Sequence, residues 1–123
     1  MLRVLTELRA SPLHGLGCFA AQAIARGEVV WRFDEGLDVF MPASNVDSLP
    51  PAAREFLKVY GYVLDGAVVL CGDHARHMNH SAAANVVELD DGSNVAARDI
   101  AAGEELTCNY FDFDAMASAK LGA

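Results

Sequence analysis

The sequence predicts a mostly β domain of short strands with one inserted helix. Three observations predict it. Apolar runs are short and are cut at intervals by turn signals: Arg26-Gly27, Asp91-Gly92 and Ala102-Gly103-Glu104. One segment, residues 48–62 (SLPPAAREFLKVYGY), carries helical spacing. The chain has 123 residues, of which 53% are hydrophobic. That size and composition fit one folded domain over residues 1–123 and exclude disorder.

In chain order, GCFAAQAIARGEVVWRF holds two apolar runs parted at Arg26-Gly27. They read as strands on either side of a tight turn. The helix follows, with Ser48 expected as its N-cap and two prolines near the first turn. Ala53, Phe56, Leu57 and Tyr60 fall on one face, and Gly61 is expected to end the helix. VVEL and NVAARDI flank DDGS and read as a hairpin. One pattern recurs: IARGEVV (24–30) and IAAGEEL (100–106) both read Ile-x-x-Gly-Glu before apolar residues. Two copies so far apart do not make a solenoid. Each reads as a strand, a turn whose glycine takes positive φ, and a return strand.

Charge and cysteine usage narrow the function classes. The formal net charge is −8. An acidic domain repels the phosphate backbone, so no direct nucleic-acid binding is expected, whereas a Lys-rich protein tail would be attracted. No apolar run is long enough for a membrane span, and the charges in MLRVLTELRA come too early for a signal-peptide core. A cytoplasmic protein with no membrane partner is the expectation. Cys18, Cys71 and Cys108 are scattered and odd in number, which argues against a disulfide framework or a structural zinc.

The stretch HARHMNHS (74–81) looks at first like a metal site. Metal-binding helices favour histidines four apart. Steps of three drift by roughly 60° each on a 3.6-residue helix, and on a strand His77 would oppose His74 and His80. No metal is expected.

The motifs gain meaning from their order: HGLG (14–17), then ARHMNHSAAAN (75–85), then IAAGEELTCNYFDF (100–113). This series resembles the SET domain, the fold of many protein lysine methyltransferases. That family reads G-x-G, then R-F-x-N-H-S-x-x-P-N, then G-E-E-L-T-x-x-Y. The match runs from about Leu13 to Asp114. The resemblance implies a β-clip-like fold of small curved sheets, with a C-terminal pseudoknot that brings Asn79, His80 and Tyr110 together.

The resemblance further implies S-adenosylmethionine as cofactor and methyl transfer to the ε-amine of a protein lysine. Main-chain atoms of His14, Gly15 and Leu16, with Gly17 closing the motif, would hold the cofactor's amino-acid end. Asn79 would hold its ammonium, and Arg76 a carboxylate, either the cofactor's or a structural one. His80 would offer backbone to the adenine, and Phe111 or Phe113 a ring to its face. Tyr110 would be the catalytic residue, orienting an amine that must be neutral although free lysine titrates near ~10.4. Phe33, Tyr60, Tyr62 and Cys108 would line the lysine channel, with Trp31 a further candidate.

The chain departs from the family pattern at His77, Ala84, Phe33 in F-D-E-G, and Cys108, the last leaving a roomier pocket. It has no cysteine-rich segment beside the core, and thirteen residues follow Tyr110. Two ways to close the channel follow: FDFDAMASAKLGA folding over it as a short helix, or a second copy in a homodimer. Against the enzyme stand two alternatives, a non-catalytic SET-like binding module and a methyltransferase of a small amine.

Overall fold

Prolines and glycines set the element boundaries. The computed structural model describes residues 1–121. Strands β1 (Thr6–Ala10) and β2 (Leu16–Ala20) form an antiparallel ribbon. Strand β3 (Val29–Trp31) follows, then β4 (Val39–Pro42). Two helices come next, α1 (Ala43–Asp47) and α2 (Pro51–Tyr60). The remaining strands are β5 (Tyr62–Leu64), β6 (Ala67–Leu70), β7 (Asn79–His80), β8 (Val86–Glu88), β9 (Asn94–Ala96) and β10 (Thr107–Cys108). Helix α3 (Ala117–Leu121) comes last. Two 3₁₀ turns, His74–His77 and Tyr110–Asp112, interrupt the chain beside β7 and β10.

The strands make four small sheets: β1-β2, β3-β9-β8, β4-β6-β5 and the parallel pair β10-β7. The mostly β architecture with an inserted helix is as predicted, and VVEL and NVAARDI pair as a hairpin. Among the described residues, no helix is long and apolar enough to cross a membrane.

The two Ile-x-x-Gly-Glu copies build the same turn twice. Gly27 and Gly103 take φ of +83° and +93°, which only glycine adopts without strain. In each turn the glutamate amide donates to the carbonyl three residues back, Glu28 to Ala25 at 3.0 Å and Glu104 to Ala101 at 3.1 Å. Each glutamate carboxylate then accepts from the amide after the isoleucine, Ala25 at 3.1 Å and Ala101 at 2.6 Å. The copies also bind one another: Ile24 and Ile100 exchange backbone hydrogen bonds of 2.8 Å each way. Both isoleucines are almost fully buried, beside Val30, Val86, Leu106 and Cys18. The repeat thus staples the two halves of the core.

The helix begins two residues later than expected. Ser48 does not cap α2; it closes α1, and its hydroxyl donates to the Asn45 carbonyl at 2.8 Å. The tandem prolines explain the shift. A residue before proline is pushed out of the helical region, so Pro50 becomes the extended N-cap and Pro51 the first helical residue. Gly61 does end α2, but in an extended conformation, φ −87°, and its amide donates to Leu57 at 2.9 Å. Of the expected face only Leu57 is fully buried, while Phe56 stacks on Tyr60 with ring centroids 4.8 Å apart.

Candidate functional site

The segment at 105–110 runs between β2 and the loop after β7, bonded to both. On one side Leu106 N donates to Cys18 O at 2.8 Å, and Phe19 bridges Glu105. On the other side Thr107 and Cys108 register with Asn79 and His80 in the parallel pair. Buried Asn85 acts as one more strand partner. Its Oδ1 accepts from Thr107 N at 2.9 Å and its Nδ2 donates to Glu105 O at 2.9 Å. This crossing brings Asn79, His80 and Tyr110 together from 30 residues apart, as expected of the pseudoknot. Tyr110 N donates to His80 Nδ1 at 3.2 Å, and the Tyr110 hydroxyl donates to Met78 O at 2.9 Å.

The HGLG loop is anchored from below. Ser11 Oγ donates to the Glu105 carboxylate at 2.7 Å, and Ser11 N donates to Gly15 O at 2.8 Å. Gly15 sits at φ +44°. A Cβ at Gly17 would lie 3.0 Å from Ser11 Cβ and collide with the Glu105 carboxylate. Glycine is therefore required at Gly17 by close approach, not by its dihedral angle. Asn79, nearly fully buried, points its amide nitrogen at three acceptors: His14 O at 3.0 Å, Leu16 O at 3.2 Å and Glu105 Oε2 at 2.9 Å. An amide has two hydrogens, so one acceptor is left over. This oxygen-rich corner suits a cationic group.

Two cavities share Tyr110 as a wall. The wider, about 1390 Å³, is lined by His14, Gly15, Leu16, Asn79 and His80. The narrower, about 80 Å³, is lined by Trp31, Tyr62, Met78, Cys108 and Phe113. Tyr60, Arg76, Tyr110 and Lys120 border both. Burial pushes the Tyr110 hydroxyl up to about 12 and the Tyr62 hydroxyl higher still. It also raises Cys108, and Cys71 to about 12. These groups stay protonated and neutral near pH 7, so the narrow cavity has uncharged aromatic and thiol walls, with Glu88, Arg76, Asp114 and Lys120 also in its lining.

Several expectations need correction. Phe33 lines neither cavity; Trp31 does, with Phe33 edge-on behind it at 6.5 Å. The register shifts between Val29 and Trp31 against β9, and such a bulge re-aims a side chain. Strand β3 then ends at Trp31, and Phe33 falls in the exposed approach to the turn at Asp34. Phe113 faces the narrow cavity, 4.9 Å from Tyr62, rather than the wide one. Phe111 is half-exposed, lines neither cavity, and packs edge-on against His80 at 5.8 Å. Gly17 lies beneath the wide cavity without lining it. Arg76 makes no ion pair with a carboxylate among the described residues. Its Nε donates to Cys71 O at 3.0 Å, and its guanidinium lies 5.5 Å over Phe56.

The three histidines go separate ways. His74 Nδ1 meets Thr6 Oγ1 at 2.9 Å, His77 packs on Tyr60 at 5.2 Å, and His80 supports Tyr110. Sequence reasoning missed Ser11, Glu105, Asn85 and Asp114. Asn85 and Glu105 lie inside the quoted motifs without a role read for them, Asp114 alternates with phenylalanine in FDFD, and Ser11 carries no sequence signal.

The SET-domain family model matches residues 15–111 of this chain. No curated protein matches it. Among solved structures, a humanized mutant of the Chaetomium thermophilum Polycomb Repressive Complex 2 bound to an inhibitor is similar, with a TM-score of 0.67 and 25% identity over 94% of this chain. The same complex in an autoinhibited conformation, bound to S-adenosylmethionine, gives 0.65 and 25% over 97%. This chain spans only 16% of those longer chains. A candidate histone methyltransferase of Plasmodium falciparum shares the fold at 19% identity, with a TM-score of 0.62, 89% of this chain and 95% of that one being covered.

Proposed function

The chain belongs to the SET-domain family, and from that premise we propose that it transfers the methyl group of S-adenosylmethionine to the ε-amine of a lysine in a basic protein. The observation that carries the reading is the position of Tyr110, on the wall between an oxygen-rich cleft and an aromatic slot. Similar structures include one with S-adenosylmethionine bound, which supports the choice of cofactor.

The residues fit that cofactor. His14 O, Leu16 O and Asn79 form the corner for an ammonium, with the Glu105 carboxylate lending negative charge from behind Asn79. The terminal nitrogens of Arg76, which have no carboxylate partner within the described residues, suit the neighbouring carboxylate. When bound, the cofactor supplies a methyl carbon on a sulfonium, open to in-line displacement. The aromatic walls strip water from the acceptor and disfavour its ammonium form. The Tyr110 hydroxyl spends its proton on Met78 O, so its lone pairs are free to accept from the amine and hold the nitrogen in line. Its raised pKa means that it positions the amine as a neutral phenol and takes no proton. The net charge of −8 supports a basic substrate.

The test is transfer of labelled methyl into a lysate fraction of basic proteins, with Tyr110→Phe beside the wild type. Label in lysine of a protein band, lost in Tyr110→Phe, is expected. Label only in small amines would replace the substrate class. Failure to bind the cofactor at all would overturn the reading.

A further inference from the structure

The narrow slot already holds a lysine. Lys120 of α3 lies across its mouth with its side chain only 20% exposed. The Lys120 ammonium donates to Gly61 O, pairs with Asp114 Oδ2 at 2.7 Å, and stands 5.8 Å from the centre of the Tyr110 ring. Asp114 is built for that partner. Its Oδ1 accepts from Val63 N and Met116 N, both at 3.0 Å, which fixes the carboxylate. Its Oδ2 is buried, faces the slot, and meets no other donor among the described residues.

We propose that Asp114, the Gly61 carbonyl and the Tyr110 face form the seat that recognises the ammonium of an incoming lysine, and that Lys120 occupies this seat in cis. The proposal rests on the reading of the slot as the acceptor channel. A buried carboxylate with no counter-ion is costly, so Asp114 favours a cation at Oδ2. Lys120 and a substrate lysine meet that need in the same way, and exchange between them leaves the burial of Asp114 unchanged. The bonds to Gly61 O and Asp114 Oδ2 hold Lys120 in the seat. Lys120 is then a competitor, not a substrate. Its helix has only five residues, so little backbone hydrogen bonding holds Lys120 in place.

Peptide binding, read by fluorescence anisotropy without turnover, tests this. The probe is an arginine-rich peptide with one central lysine, compared with the same peptide carrying methionine there. In K120M the seat is vacant, and the lysine peptide is expected to bind about tenfold more tightly than to the wild type, since the competent fraction no longer limits affinity. In the double variant K120M/D114N the preference for lysine over methionine should vanish. The Asn Oδ1 still accepts from Val63 and Met116, so the fold is retained. Equal lysine affinity in wild type and K120M would overturn the proposal, as would a lysine preference that survives D114N. Failure of the methyltransferase reading shows separately, as bound peptide that gains no label from S-adenosylmethionine.

Discussion

The two sides of Tyr110 are built by different means. One end of the wide cleft is mainly backbone and buried polar groups: the HGLG turn, held by Ser11, Asn79 and Glu105, facing a wall of α2 side chains. The narrow slot is side chain: Trp31 from β3, Tyr62 from β5, Cys71 and Cys108, and Phe113 from the C-terminal segment. Backbone recognition is local and survives little substitution. A wall of side chains drawn from separate segments changes one residue at a time. The proposed roles, a cleft for an invariant cofactor and a slot for a variable acceptor, call for these two constructions.

Variants on either side should separate the functions. Tyr110→Phe should have the largest effect, lowering the single-turnover rate by about 100-fold with cofactor affinity unchanged, because positioning is lost and the cleft is not. Rapid-quench assays check this. Gly17→Ala should come next. Its Cβ drives apart Ser11 and Glu105, destabilising the chain by about 1–3 kcal/mol and abolishing measurable cofactor binding by calorimetry, while Lys-peptide binding persists. Glu105→Gln keeps the shape and removes the charge. Cofactor affinity should fall about tenfold, with no change in peptide affinity.

What was legible in the sequence follows the same division. HGLG, Asn79-His80-Ser81 and GEELT are each contiguous and so readable as motifs, although the bonds that join them are long-range. The slot was only half legible. Trp31 and Phe33 are two residues apart, and a strand without a bulge gives no reason to prefer one; the register shift against β9 decides. Ser48 is a good N-cap by type, yet Pro50 and Pro51 fix the helix start. The two Ile-x-x-Gly-Glu copies were each readable as a turn, but their pairing through Ile24 and Ile100 is a long-range contact that neither copy encodes alone. Nothing in GEELT tells Glu104 from Glu105. Only the fold sends Glu104 outward to Arg98 and Glu105 beneath the loop.

Alkaline pH should loosen the slot and the core together. Burial raises Cys18 and Cys71 from 9.0 to about 12, and raises Cys108 as well. The folded chain therefore binds these protons more tightly than the unfolded chain. Their contribution to stability is complete below pH 9 and is lost as pH climbs toward 12. Thermal melts should show a flat Tm up to about pH 8.5 and a steady fall above it. Phe33→Ala should have the smallest effect, within about 0.5 kcal/mol in stability and without loss of peptide affinity, whereas Trp31→Ala should weaken peptide binding.

Backbone hydrogen exchange with one ligand at a time tests the division most directly. S-adenosylhomocysteine, the demethylated cofactor, should slow exchange at residues 14–17, 79–80 and 105 and leave 62 and 113–114 unchanged. The single-lysine peptide should do the reverse, protecting 62 and 113–114 while exposing 117–121. Protection of the same amides by both ligands, or of none near HGLG by the cofactor product, would contradict the assignment of one cavity to each.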